Sequence, residues 1–151
     1  MRVLGIDYGA RRIGLALSDA TAMLASPWRV LHQPVSETDT LQLVIAEIKA
    51  LVAAENSLEA IVVGWPRRLD GRPTHQTSLV EAFVSGIRSV VPLPVILQDE
   101  RLSSHEAESR LAILESDWQK RKAKLDAAAA AVILQDFLND RSSPAPPEWD
   151  A

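Results

Sequence analysis

The sequence contains no cysteine, which excludes disulfide bonds, thiolate nucleophiles and zinc sites with cysteine ligands. Its longest uninterrupted apolar run, Ala127 to Leu134, is far shorter than the ~20 residues that a membrane-spanning helix needs. A charged residue, Asp7, interrupts the apolar segment that follows Met1, so we expect no signal peptide. We therefore expect a cytoplasmic protein that does not act at a membrane.

Two further kinds of site have little support. The three histidines lie far apart in the chain and do not have the spacing of metal ligands: His32, His75 and His105. No histidine forms a convincing pair with Ser103 or Ser104, which argues against a serine nucleophile. The chemistry, if there is any, has to come from carboxylates and basic side chains.

The 151 residues carry a net charge of −4, and 47% of them are hydrophobic, which fits one globular domain. The charges are unevenly distributed. Residues 36–60 hold five acids and one base, whereas residues 118–124 hold four bases and no acid. A phosphate group responds to the local field rather than to the net charge. A nucleic-acid partner therefore remains compatible with the acidic total.

Hydrophobic periodicity predicts an α/β fold. Period-two alternation near the N-terminus indicates three antiparallel strands, and the rest alternates between helical stripes and short buried strands that favour parallel pairing. The predicted strands lie near residues 3–7, 13–18, 28–31, 60–64 and 95–97, and the predicted helices near residues 41–52, 79–87, 103–114 and 125–138. We expect residues 1–138 to form one domain and the proline-rich residues 139–151 to form a disordered tail.

Acidic residues follow two of the predicted strands, where an α/β sheet places its working site. Asp7 follows the first strand, and Asp99 and Glu100 follow the last one. Clustered carboxylates favour a hard divalent cation such as Mg²⁺. Each acid also has a simpler explanation: Asp7 can stabilise a turn, and the pair Asp99 and Glu100 can be a solvated strand end. Asp126, predicted in the first turn of the last helix, is explained most simply as a favourable charge at the helix dipole.

The basic segment before Asp126 likewise has one functional and one simpler structural explanation. Its members can bind the phosphate backbone or can form an ordinary solvated surface. The bases of this segment are Lys120, Arg121, Lys122 and Lys124.

The sequence resembles the YqgF family, also called RuvX, a group of compact bacterial proteins with an RNase H-like fold. The resemblance spans residues 1–138 and rests on four segments: GIDYG at 5–9 with RIGLA at 12–16, IVVGWP at 61–66 with Asp70-Gly71, DERLSS at 99–104, and KLDAAAA at 124–130. The first segment alone also occurs in sugar kinases and actin-like ATPases, but this chain is too short for their second domain. The third and fourth segments are much more specific.

The resemblance implies a five-stranded mixed sheet flanked by helices and a Mg²⁺- or Mn²⁺-dependent endonuclease that matures the 5′ end of precursor 16S rRNA. Asp7, Glu100 and Asp126 become the catalytic, metal-binding acids, with Asp99 as the alternate to Glu100. Structured RNA in the pre-ribosome is the expected substrate, bound by a monomer or homodimer. The residues expected to contact it are Arg11, Arg12, Arg101, Lys120, Arg121, Lys122 and Lys124.

Two other functions remain open. One is a Holliday junction resolvase that cuts branched DNA as a symmetric dimer. The other is a noncatalytic nucleic-acid-binding factor of ribosome assembly.

Overall fold

The computed structural model describes residues 1–9, 11–32, 37–54, 58–65, 75–99 and 118–142, and for residues 37, 38, 75, 118–124 and 142 it describes the backbone alone. The elements in chain order are β1 (Arg2–Tyr8), β2 (Arg12–Ser18), β3 (Ala25–His32), α1 (Glu37–Ala53), β4 (Leu58–Trp65), α2 (His75–Val90), β5 (Val95–Asp99) and α3 (Trp118–Ser142). The helix predicted at 103–114 and residues 143–151 lie outside the described residues.

The five strands form one sheet in the order β3-β2-β1-β4-β5. Strand β2 pairs antiparallel with both β1 and β3, whereas β4 pairs parallel with β1 and β5. This arrangement confirms the predicted mixed sheet, in which three antiparallel strands are followed by parallel ones. The parallel pairs use the helices between strands as crossovers.

The two faces of the sheet are covered by different helices. In β1, Leu4, Ile6 and Tyr8 belong to the cluster that contains buried residues of α1 and α2. Val3, on the alternate face, belongs to the cluster that contains Ile133 and other residues of α3. Since side chains alternate along a strand, α1 and α2 cover one face and α3 covers the other.

Helix α3 is longer than the periodicity predicted. It begins at Trp118 rather than near Leu125 and continues past Leu138 to Ser142. The predicted helix began near residue 125, after the basic segment of residues 118–124. Lysine, arginine, glutamine and alanine are all good helix formers, however, and the segment has no glycine or proline to stop the helix.

Helix α3 approaches the sheet closely because small residues face each other there. A Cβ added at Gly5 would lie 2.8 Å from the Cβ of Leu134 and 3.1 Å from the carbonyl oxygen of Ala130. Ala130 itself is fully buried. Among the described residues, no helix combines the length and the hydropathy that crossing a bilayer requires.

Candidate active site

The parallel strands end together at one edge of the sheet. Ile6 of β1 is paired with Val63 of β4, which is paired with Leu97 of β5. Residues that follow these positions therefore lie at the same carboxyl edge, where open α/β sheets form their sites. Asp7 is the first residue of β1 beyond this level.

Asp7 and Asp126 lie on the same side of the sheet and next to each other. Asp7 of β1 is the register partner of Gly14 of β2. A Cβ at Gly14 would overlap the carbonyl oxygen of Asp126 and lie 2.9 Å from the amide nitrogen of Ala127. The backbone of α3 at Asp126 thus rests on the strand position beside Asp7. Asp7 also alternates with Ile6 and Tyr8, so it is on the face that α3 covers.

The carboxylate of Asp126 contacts a guanidinium. Its Oδ2 lies 2.7 Å from Nε of Arg12, and the two side chains are 24% and 37% exposed. Although the distance is that of an ion pair, Oδ2 is buried and receives no hydrogen bond from the described residues. We take the contact as an ion pair with poor hydrogen-bond alignment, because distance and angle are separate requirements. A buried carboxylate oxygen of this kind suits a cation.

Asp99 lies on the other face of the sheet. Val95, four residues earlier in β5, packs in the cluster of α1 and α2, and alternation puts Asp99 on that side too. Gln98 lies on the opposite side, where its Nε2 donates a hydrogen bond to Oδ2 of Asp140 in α3 at 3.3 Å. Asp99 therefore does not join Asp7 and Asp126. Glu100 lies outside the described residues.

The basic residues fall into two groups. Arg11 is exposed in the turn between β1 and β2, and Arg12 begins β2 beside Asp126. The second group belongs to the turns of α3 that precede Asp126, where the backbone is helical: Lys120, Arg121, Lys122 and Lys124. Arg101 lies outside the described residues. Arg12 contacts Asp126 along the sheet, and the backbone of the second group forms the helical turns directly before Asp126.

Two residues that support the site were not singled out as such by the sequence. Gly14 permits the close approach of α3, and a glycine inside a strand pattern is a general sign of such an approach. Gln76, in the first turn of α2, donates a hydrogen bond from Nε2 to the carbonyl oxygen of Tyr8 at 2.8 Å. It holds the end of β1 next to Asp7, and no pattern in the sequence indicated this role.

The described residues contain no group of three or more histidine, cysteine, aspartate or glutamate side chains that could hold a metal ion. Of the three predicted metal-binding acids, the structure brings Asp7 and Asp126 together. The third, Glu100, is outside the described part of the chain.

Comparison with known proteins identifies close relatives. A sequence model of the family described as "RuvX: Holliday junction resolvase" matches residues 1–140. A protein of Roseiflexus sp. (strain RS-1) named "Putative pre-16S rRNA nuclease" is 37% identical over 93% of this chain and 95% of its own length. A protein of the same name from Chloroflexus aggregans is 38% identical over 94% of this chain and 96% of its own length.

Solved structures support the fold. The RuvC protein of T. thermophilus, solved in complex with a Holliday junction substrate, is similar with a TM-score of 0.56 and 16% identity, over 97% of this chain and 99% of that one. A second Thermus thermophilus RuvC structure has a TM-score of 0.54 and 16% identity, over 93% of this chain and 96% of that one. The likeness to RuvC confirms the predicted RNase H-like fold. The family model matches almost the whole chain, and two relatives are 37% and 38% identical to it. The chain therefore belongs to the RuvX family, also called YqgF.

Proposed function

We propose that this protein is a divalent-metal-dependent endonuclease that processes the 5′ end of precursor 16S rRNA in the cytoplasm. The names of its relatives support the substrate. The observation that carries the proposal is the juxtaposition of Asp7 and Asp126 through Gly14, with a buried oxygen of Asp126 that lacks a hydrogen bond. Two aspartates on neighbouring backbone positions at the carboxyl edge of a sheet favour the binding of a cation.

The side chains present fit Mg²⁺ or Mn²⁺, which take oxygen ligands. Asp7 and Asp126 would hold the metal, and Glu100 would complete the set. Asp99 fits this role less well, because it is on the face that α1 and α2 cover. Bound metal would supply the activation of water and the stabilisation of the leaving oxygen.

The other groups of the site would bind and orient the RNA. Arg11 lies in the exposed turn beside Asp7, and the bases of α3 precede Asp126. A strand of RNA that runs along this edge would place its phosphates between the two groups. Guanidinium groups bind phosphate with paired hydrogen bonds, and lysines add positive charge.

The decisive variant is Asp7→Asn, which keeps the shape of the side chain and removes its charge. We expect cleavage of a transcript with the 5′ extension of 16S rRNA to fall at least about a hundredfold, as is common when a charged group that stabilises the transition state is lost. The measurement is the initial rate with purified protein in Mn²⁺. The control is Asp140→Asn, the same chemical change at the far end of α3, which should leave the rate unchanged. Equal rates for Asp7→Asn and the wild type would refute the assignment.

The alternatives predict different results in the same experiment. A resolvase would cut four-way junction DNA faster than the transcript and would do so as a dimer. A noncatalytic assembly factor would cut neither substrate and would bind no Mn²⁺. In cells that carry only the Asp7→Asn protein, we expect 5′-extended 16S precursor to accumulate, as read from the ends of the precursor.

A further inference from the structure

We propose that Arg12 is the resident counter-cation of Asp126, that metal binding displaces it, and that the displaced guanidinium then binds a substrate phosphate. This inference rests on the proposed function, since it concerns the metal that Asp7 and Asp126 would hold. It gives Arg12 two successive partners in place of a fixed role in substrate binding.

The backbone fixes where Arg12 stands. The amide nitrogen of Gly9 donates a hydrogen bond to the carbonyl oxygen of Arg12 at 3.0 Å, which closes the turn between β1 and β2. On the other side, Arg12 is the register partner of His32 in β3. The start of β2 is therefore held from both sides, and its side chain extends on the face of Gly14, where Asp126 rests.

The side chain of Arg12 lies against one of the two carboxylate oxygens of Asp126. Asp126 as a side chain is 24% exposed, yet its Oδ2 is buried. The guanidinium Nε at 2.7 Å lies over this oxygen. A divalent ion bound at ~2.1 Å from the same atom would meet both the bulk and the positive charge of Arg12. The two cations therefore exclude each other at Oδ2.

Arg12 can leave this position easily. Its side chain is 37% exposed, so it can turn towards solvent without opening the hydrophobic core. The contact also lacks a well-aligned hydrogen bond, which makes it weaker than a bidentate pair. Once released, the guanidinium has all its N–H donors available for a phosphate at the same edge of the sheet.

The test is the affinity for Mn²⁺ without nucleic acid, measured by electron paramagnetic resonance. Because Arg12→Gln removes the competing charge, we expect its dissociation constant for Mn²⁺ to fall by about three- to tenfold, the size expected for one partly solvated charge near the ion. Binding of an RNA oligonucleotide in Ca²⁺ should weaken in the same variant. Arg12→Lys keeps a cation and should stay close to the wild type in Mn²⁺ affinity.

The matched control is Arg29→Gln. It removes the same charge from another ion pair, between Nη1 of Arg29 and Oε2 of Glu47 at 3.0 Å, on the other side of the molecule from α3. Its Mn²⁺ affinity should equal that of the wild type. If Arg12→Gln binds Mn²⁺ no more tightly than the wild type, the displacement is refuted while the nuclease proposal stands. If the wild type binds Mn²⁺ no better than Asp126→Asn does, the metal site itself fails.

A second measurement needs no variant, so it is independent of any folding defect. Titration of the wild type with Mg²⁺ should shift the side-chain N–H resonance of Arg12 in an ¹⁵N–¹H spectrum and speed its exchange with solvent. The corresponding resonance of Arg29 should not move. A resonance of Arg12 that stays unchanged through Mg²⁺ saturation would overturn the proposal.

Discussion

The role assigned to Asp126 depends on where it stands in its helix and on which groups surround its carboxylate. An aspartate in the first turn of a helix interacts favourably with the helix dipole. Helix α3, however, begins at Trp118, about two turns before Asp126, and the dipole acts over the first turn only. The dipole therefore does not explain this acid. A buried carboxylate oxygen beside Arg12 is instead explained by the need for a cation.

A second aspartate, Asp19, has a structural role that can be tested by pH. Its carboxylate accepts hydrogen bonds from Oγ1 of Thr21 at 2.5 Å and from the amides of Leu24 and Met23 at 3.1 and 2.9 Å. These bonds, that of Thr21 above all, lower the pKa of Asp19 from 3.8 to about 2. Because the lowered pKa belongs to the folded state, the stabilisation is present above pH 3.8 and is lost as the pH falls towards 2.

We therefore expect the free energy of unfolding of Asp19→Asn to depend less on pH over this acid range than that of the wild type. Asparagine can still accept a hydrogen bond but does not titrate. Urea unfolding at a series of pH values measures the difference. The control is Thr21→Ala, which should raise the pKa of Asp19 in an NMR titration. If the free energy of unfolding changed with pH in the same way for Asp19→Asn and the wild type, this account would be contradicted.

At the level of elements, the contact between α3 and β2 sets the geometry of the site. Gly14→Ala would drive a methyl group into the carbonyl oxygen of Asp126, which is backbone and cannot rotate away. We expect a loss of about 1–3 kcal/mol in the free energy of unfolding, as for other overpacked sites. Mn²⁺ affinity should fall too, because α3 carries Asp126 away from Asp7. Denaturant unfolding and Mn²⁺ titration measure the two effects.

The control for this contact is Gly86→Ala in α2. Its added methyl would meet Cδ2 of Leu41 at 2.5 Å, the end of a flexible side chain that can adopt another rotamer. Alanine is also a better helix former than glycine. Gly86→Ala should therefore cost less stability and leave Mn²⁺ affinity unchanged. If Gly14→Ala behaved in the same way, α3 would not be held by the close contact.

The sequence predicted the strands better than it predicted the last helix and the site. Alternation in β2 does not fit a helix, and the apolar run of β4 is short, rich in β-branched residues and followed by Gly64 and Pro66, which favours a strand. The segment from Trp118 to Lys124 fits a helix and a charged loop equally well, so its state is decided by the contacts of the rest of α3 with the sheet. Similarly, alternation along β5 does not tell which face is the working one, and only the positions of the helices place Asp99 on the face opposite α3.

On the scale of the whole molecule, the sheet separates charge of opposite sign. Helix α1 lies in the acidic stretch of residues 36–60, and its Val44 and Ile48 pack on one face. Helix α3 carries the four bases of residues 118–124 and packs on the other face. The net charge of −4 thus hides two stretches of opposite sign, about equal in size: five acids and one base in residues 36–60, and four bases without an acid in residues 118–124. A polyanion would be repelled by the first and attracted by the second.

This separation predicts how RNA binding depends on salt. Lys122→Gln, in the basic segment of α3, should weaken binding and reduce the slope of log K against log salt by about 1, since one fewer counterion is released. Lys49→Gln, on α1, makes the same change in net charge and should leave the slope unchanged. Fluorescence anisotropy of a labelled RNA measures both, with Asp7→Asn added to each protein so that the RNA stays intact. If Lys122→Gln and Lys49→Gln reduced RNA affinity and the salt slope equally, the net charge rather than the basic segment would control binding. The surface proposed along α3 would then be wrong.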